Sequence, residues 1–280
     1  MAVRGRIRGF TLVEMITVIV LLGIIAVVLA PFIANAIQAW HDGKARAELV
    51  ARGRLALERL AREVRLAVPN SIETLAGGQG IQFVRTRAGG RYIERFDNYG
   101  TAFTRMNRRF RKNAALANGL YIMGTGLSVS AGDILVIGNT SPAALKAFPG
   151  DGPAVALTGI GTTSSATDGT TQGQILGFAS HRFLVDSPAR HFAIADQTVE
   201  VGLTGNTLRW HTVAGLANYD ATADWGVADP VLVDGVTAVN FTYAPGTPAA
   251  SGVLRIDLTL ATDASNGIRL YHEVHVRNTP

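Results

Sequence analysis

A chain of 280 residues with no cysteine has room for one sizeable domain plus an anchor, and it excludes disulfides, thiolate metal sites and cysteine nucleophiles. The net charge of +5 suggests a nucleic-acid or membrane partner, but Arg4, Arg6 and Arg8 sit within the first nine residues. Without them the balance is 23 basic against 21 acidic residues, or +2, so the excess belongs to a leader and not to a basic binding face.

The chain opens Met-Ala-Val-Arg-Gly-Arg-Ile-Arg-Gly, continues Phe10-Thr11-Leu12-Val13-Glu14, and carries no charge over residues 15–40. About 20 apolar residues span a bilayer core, so this run predicts a transmembrane helix, with the leader arginines holding the N-terminus in the cytoplasm. Three readings of the start compete. Ala34-Asn35-Ala36 has the small-x-small form of a signal-peptide cleavage site, but the apolar run is long for a signal peptide. A plain anchor is the second reading. The third is a precursor cut after Gly9.

Glu14 favours the third. A carboxylate at the edge of a spanning helix costs about 2.5–3.5 kcal/mol on insertion scales, and a plain anchor has no use for it. Cutting after Gly9 frees an amine on Phe10, four residues away. That amine can pair with Glu14 of a neighbouring helix and set the register between subunits. Alternatively, Glu14 compensates the dipole of its own helix. The residues leave both open.

Residues 42–68 are charged but periodic. Val50, Leu57, Ala61, Val64 and Val68 make one apolar stripe, and Arg46, Arg52, Arg59 and Arg62 fall largely off it. Pro69-Asn70 ends the pattern. The expected rod, residues 10–68, is roughly 90 Å long at 1.5 Å per residue, with Gly23, Pro31, Gly43 and Gly53 as weak points. The arginines over 44–65 are interleaved with Glu48, Glu58 and Glu63 and read as a solvated helix face.

Beyond Pro69 short alternating runs take over. Residues 82–87 and 91–94, around Ala88-Gly89-Gly90, predict a β-hairpin. Strands are expected over 133–137, 182–185, 198–203 and 207–213, the last after a Gly205-Asn206 turn. Three antiparallel strands are expected over 236–243, 253–260 and 267–276. The Gly-, Thr- and Ser-rich stretch 159–174 predicts a loop, and the gaps near 100–118 and 140–174 predict insertions. A long helix followed by strands predicts an α+β fold with an antiparallel sheet on the helix stripe. The domains are a leader (1–9), a helix (10–68, membrane-spanning over 10–40 and amphipathic over 41–68) and a β-rich extracytoplasmic domain (69–280).

A catalytic set does not emerge, and the chain reads as no enzyme, with no cofactor and no metal. His272 and His275 are three apart, which in a strand puts them on opposite faces. Gly77-Gly78-Gln79-Gly80 lacks the lysine of a phosphate loop and reads as a turn. Asp151, Asp168 and Asp263 sit in polar loops without calcium-loop spacing. Arg105, Arg108, Arg109, Arg111 and Lys112 crowd around Phe103, Met106 and Phe110. Stacking on nucleic acid is one reading; an amphipathic turn with its charges in water is the favoured one.

Gly9-Phe10-Thr11-Leu12-Val13-Glu14, behind a basic leader and before an apolar run, resembles the type IV prepilin motif. The resemblance implies a prepilin peptidase that cuts between Gly9 and Phe10 and methylates the Phe10 amine from S-adenosylmethionine. It maps the family's assembly glutamate to Glu14 and its helix-kinking proline to Pro31. Ala88-Gly89-Gly90-Arg91-Tyr92, the run from Asp234 through Tyr243, and the tail from His272 through Pro280 resemble the MSHA pilus biogenesis protein O family, itself similar to minor pseudopilin J of type II secretion. The absence of cysteine departs from that family's pattern. The implied function is a minor pilin or pseudopilin acting in pilus biogenesis or at the tip. Its expected partners are other pilins, the peptidase and the inner-membrane assembly platform, with nucleic acid not expected. The implied location is the inner membrane, single-pass, with the globular domain in the periplasm, and the cell exterior once in a pilus. The alternatives are a type II secretion pseudopilin, or a filament-delivered adhesin or DNA-binding module.

Overall fold

The computed structural model describes residues 10–92, 112–113, 115–116, 119–122, 126–163, 173–246, 251–261 and 267–277. The chain divides into two compact units, Met1–Leu49 and Val50–Pro280. Helix α1 (Leu12–Val64) supplies the described part of the first and the opening turns of the second.

In the first unit every residue over 10–41 is exposed. An 18-residue window of the helix has a mean hydropathy of 3.0 with none of it buried, so the helix is long and apolar enough to cross a membrane. Pro31 lies inside it. Proline has no N–H, so the Val27 carbonyl loses its intrahelical donor there. Lys44 Nζ sits 5.8 Å from the ring centroid of Trp40.

In the second unit the helix buries Ala56, Leu57, Leu60, Ala61 and Val64, a stripe at helical spacing. The expected stripe is widened by Ala56 and Leu60, and Val50 is only half-buried. The helix ends at Val64 and not at Val68. The Leu66 and Ala67 N–H groups bond back three residues, to Glu63 O and Val64 O, and tighten the last turn. Val68 precedes a proline and is pushed to extended backbone, where its N–H donates to Val84 O at 2.8 Å. Gly53 is a close-approach point: a Cβ there would lie 2.4 Å from Leu270 Cδ1 and 2.6 Å from Leu260 Cδ1.

The strands in chain order are β1 (Glu73–Leu75), β2 (Gly80–Arg91), β3 (Ala115–Leu116), β4 (Leu120–Ile122) and β5 (Ile134–Val136). After the short helix α2 (Pro142–Lys146) come β6 (Ala154–Thr163), β7 (Gly173–Phe178), β8 (His181–Arg182) and β9 (His191–Thr204). The last are β10 (Thr207–Ala214), β11 (Val231–Asp234), β12 (Val236–Ala244), β13 (Gly252–Ala261) and β14 (Gly267–Val276). Among the described residues the large sheet runs β1-β2-β9-β5-β6-β7-β4, with β10 also on β9 and β11 on β10. A second sheet runs β12-β13-β14, and β3 pairs with β8. All pairings are antiparallel, so the chain has the expected α+β fold.

Strand β9 carries the large sheet. One face of β2, β9 and β10 presents Phe83, Val199, Val201 and Trp210, and Arg59 of the helix lies 5.1 Å from the Trp210 ring centroid. The opposite face presents Gln82, Thr198, Glu200 and Gly202 to residues 215–230, which cross it as a strap. The strap is tied by Tyr219 Oη donating to Ser71 O at 2.5 Å and by Asp224 N donating to Glu200 Oε2 at 2.9 Å.

Three expectations are corrected. The expected hairpin turn at Ala88-Gly89-Gly90 does not form: β2 is one strand to Arg91, and Ala88, Gly89 and Gly90 pair with Ile194, Ala193 and Phe192, while residues 93–94 lie outside the described residues. The glycines serve close approach, because a Cβ on Gly90 would lie 2.9 Å from Phe192 Cζ. The described ends of the stretch 159–174 are strand and not loop, since Gly161, Thr162 and Thr163 of β6 pair with Ile175, Gln174 and Gly173 of β7, and residues 164–172 lie outside the described residues. Main-chain pairing does not need large side chains, and threonine suits strands. The expected strand at 182–185 shortens to His181–Arg182, after which Phe183 turns inward and is fully buried.

Candidate assembly and processing site

Local chemistry sets the helix start. Thr11 lies outside the helix and Leu12 is its first residue. Thr11 Oγ1 accepts from the Glu14 N–H at 3.3 Å, and Thr11 O accepts from the Met15 N–H at 3.2 Å. Thr11 is therefore the N-cap, and Thr-x-x-Glu is half of a capping box. Thr17 Oγ1 donates to Glu14 O at 2.9 Å and secures the next turn.

Thr11 is a structural residue of this site that its position in the sequence motif alone did not single out. Its signal was present: Ser or Thr three residues before Glu, ahead of an apolar run. The cap keeps Phe10 and Thr11 off the helix. Phe10 is 79% exposed. Glu14 occupies the first turn, where a carboxylate complements the helix dipole. Among the described residues Glu14 makes no ion pair. Gly9, Arg4, Arg6 and Arg8 lie outside the described residues.

The remaining candidates are dispersed. His272 is half-buried and His275 exposed, on opposite faces of β14. Asp151 is engaged by Arg182, whose Nη2 donates to Oδ2 at 2.7 Å, and that hydrogen bond holds the carboxyl below its ordinary value. Gly77 and Gly78, at φ 66° and 93°, form a tight turn. Arg105, Arg108, Arg109, Arg111, Asp168 and Asp263 lie outside the described residues, and Lys112 is exposed. Among the described residues no three His, Asp or Glu side chains converge to hold a metal ion.

Against known proteins, the prokaryotic N-terminal methylation motif matches residues 4–30. This segment covers the leader arginines, Gly9, Phe10, Thr11, Glu14 and most of the apolar run, and it marks the N-terminus as that of a type IV pilin-like subunit. No curated protein and no solved structure matches the chain.

Proposed function

We propose that this chain is a minor pilin or pseudopilin of a type IV pilus-like filament of the MSHA type, cut after Gly9, N-methylated on Phe10 and assembled through its apolar helix. One observation carries the reading: an apolar helix exposed over residues 12–41 bears a first-turn carboxylate that has no partner within the described chain. Lipid can cover the apolar surface but cannot pair the charge. The methylated amine of Phe10 on an adjacent subunit supplies the missing cation, and Pro31 bends or softens the helix as subunits pack. The globular domain faces the periplasm from a single-pass anchor and acts in pilus biogenesis or at the tip. The peptidase and the assembly platform of the inner membrane are its partners, and the domain performs no catalysis.

Mass spectrometry of the chain extracted from membranes tests the reading. The expected N-terminus is a methylated Phe10. A chain beginning at Ile37, with the apolar run discarded, would overturn it.

A further inference from the structure

Four strands of the large sheet place polar side chains in one row. Glu73 pairs with Gln82, Gln82 with Glu200, and Glu200 with His211, across β1, β2, β9 and β10. Directly paired residues point to the same face, with Cβ atoms about 4.5–5.5 Å apart. The strap covers this row. Gln82 is 0% and Glu200 1% exposed.

The hydrogen bonds leave a specific deficit. Gln82 Nε2 donates to Glu73 Oε2 at 2.7 Å and to Asp220 O, which fixes the orientation of its amide. Glu73 is also paired with Lys146 Nζ at 2.6 Å. Glu200 Oε2 accepts from the Asp224 N–H, and His211 Nδ1 bonds Asp229 Oδ1 at 2.8 Å. Three buried atoms are left without a partner: Gln82 Oε1, Glu200 Oε1 and His211 Nε2. Two of them are oxygens in adjacent positions with no hydrogen between them. An ionised carboxylate only accepts, so it cannot satisfy Gln82 Oε1; a carboxylic acid has one donor to give.

We propose that Glu200 is carried in the folded domain as a neutral carboxylic acid whose Oε1–H donates to Gln82 Oε1, and that loss of this proton loosens the strap. The charged surroundings agree. On the strap, Asp224 and Asp220 lie near Glu200 and disfavour a further negative charge; His211 on β10 favours it. Arg209, also on β10, donates from Nη1 to Asp229 O at 2.6 Å while its Nε is left without a partner, and Lys146 is paired with Glu73. Desolvation dominates, and it pushes the Glu200 carboxyl above its ordinary value. An acid with a raised folded pKa adds stability that is full below its unfolded value, about 4.3, and is lost as pH rises through the folded value. The strap is therefore a latch held shut by a proton. This inference does not depend on the filament reading.

Hydrogen exchange of the full-length chain in detergent, from about pH 5 upward and corrected for intrinsic rates, tests it. Peptides of residues 215–230 are expected to lose protection as pH rises, while β6 and β7 do not. Glu200→Gln keeps both a donor and an acceptor, so its strap stays protected across this range from about pH 5 upward. Persistence of the pH dependence in E200Q, or its disappearance in His211→Gln with E200Q unchanged from wild type, overturns the proposal. Infrared spectroscopy of the unmodified chain gives a readout that no variant can obscure. A protonated carboxylic C=O band is expected above the ordinary Glu range and is expected to fade as the strap opens. Its absence at the lowest pH tested overturns the proposal.

Discussion

Gly202 lies directly beneath the indole of Trp225, so closely that a Cβ on the glycine would fall 1.8 Å from Trp225 Cε2. Its cross-strand partner Gly80 lies under the same ring, 2.3 Å from Trp225 Cη2 by the same construction. The indole Nε1 reaches Leu203 O at 3.3 Å. Two glycines thus make the floor on which the strap rests. Gly202→Ala should lift the ring and cost about 1–3 kcal/mol through overpacking. Thermal unfolding and tryptophan fluorescence check this, and an unchanged emission spectrum would contradict the stacked geometry.

Gly53 sits against the ends of two leucine side chains, which can shift. Gly53→Ala gains about 1 kcal/mol of helix propensity that offsets the crowding, so its net effect should be small. Gly53→Leu has no such escape and should destabilise the domain by about 1–3 kcal/mol. Denaturant midpoints of the two variants separate close approach from a hinge, because a hinge would tolerate leucine.

Glu14→Leu makes the helix more apolar and should leave processing at Gly9 unchanged. On the proposed pairing it removes the carboxylate that the Phe10 amine of a neighbouring subunit needs. Breaking one side of such a pair costs about 3 kcal/mol or more, roughly a 100-fold loss of incorporation into filaments. The sheared filament fraction measures this. Normal incorporation of the variant would sink the pairing argument.

Thr11→Ala removes the N-cap and should cost the helix start about 0.5–2 kcal/mol. The expected signature is faster amide exchange at Glu14 and Met15, with no change near Trp40. Thr11→Ser should restore protection.

Asp229 sets the acid limit of the strap. Partial burial raises its carboxyl, but the hydrogen bonds from His211 and from the Gly226 N–H outweigh that and hold it below the ordinary value. A lowered folded pKa adds stability above the unfolded value, about 3.9, and that stability is lost as pH falls through the folded value. Exchange protection of residues 215–230 should therefore collapse in strong acid. Asp229→Asn should abolish that collapse while weakening the strap near neutrality.

The N-terminal part was legible because its signals are local. Residues 15–40 declare a spanning helix by a long run without charge, and the last three strands declare themselves by alternation that matches β12, β13 and β14 nearly residue for residue. The Gly205-Asn206 turn was equally local, with Gly205 at φ 61° joining β9 to β10. Ala88-Gly89-Gly90 was misread because a glycine pair looks the same whether it serves a turn or makes room for a ring. Phe192, about a hundred residues away, decided between them.

What the sequence determined by itself was the precursor-like start, the apolar helix with a carboxylate in its first turn, and the α+β class. Composition, period and neighbour-to-neighbour chemistry specify these without knowledge of distant contacts. Only the tertiary structure decided that Glu73, Gln82, Glu200 and His211 share one row, and that Trp225 rests on Gly80 and Gly202. Those groups are brought together by strand register, which depends on the pairing of segments far apart in the chain. Burial then changes the balance of a carboxyl group, because covering it with the strap disfavours the charged form that water stabilises.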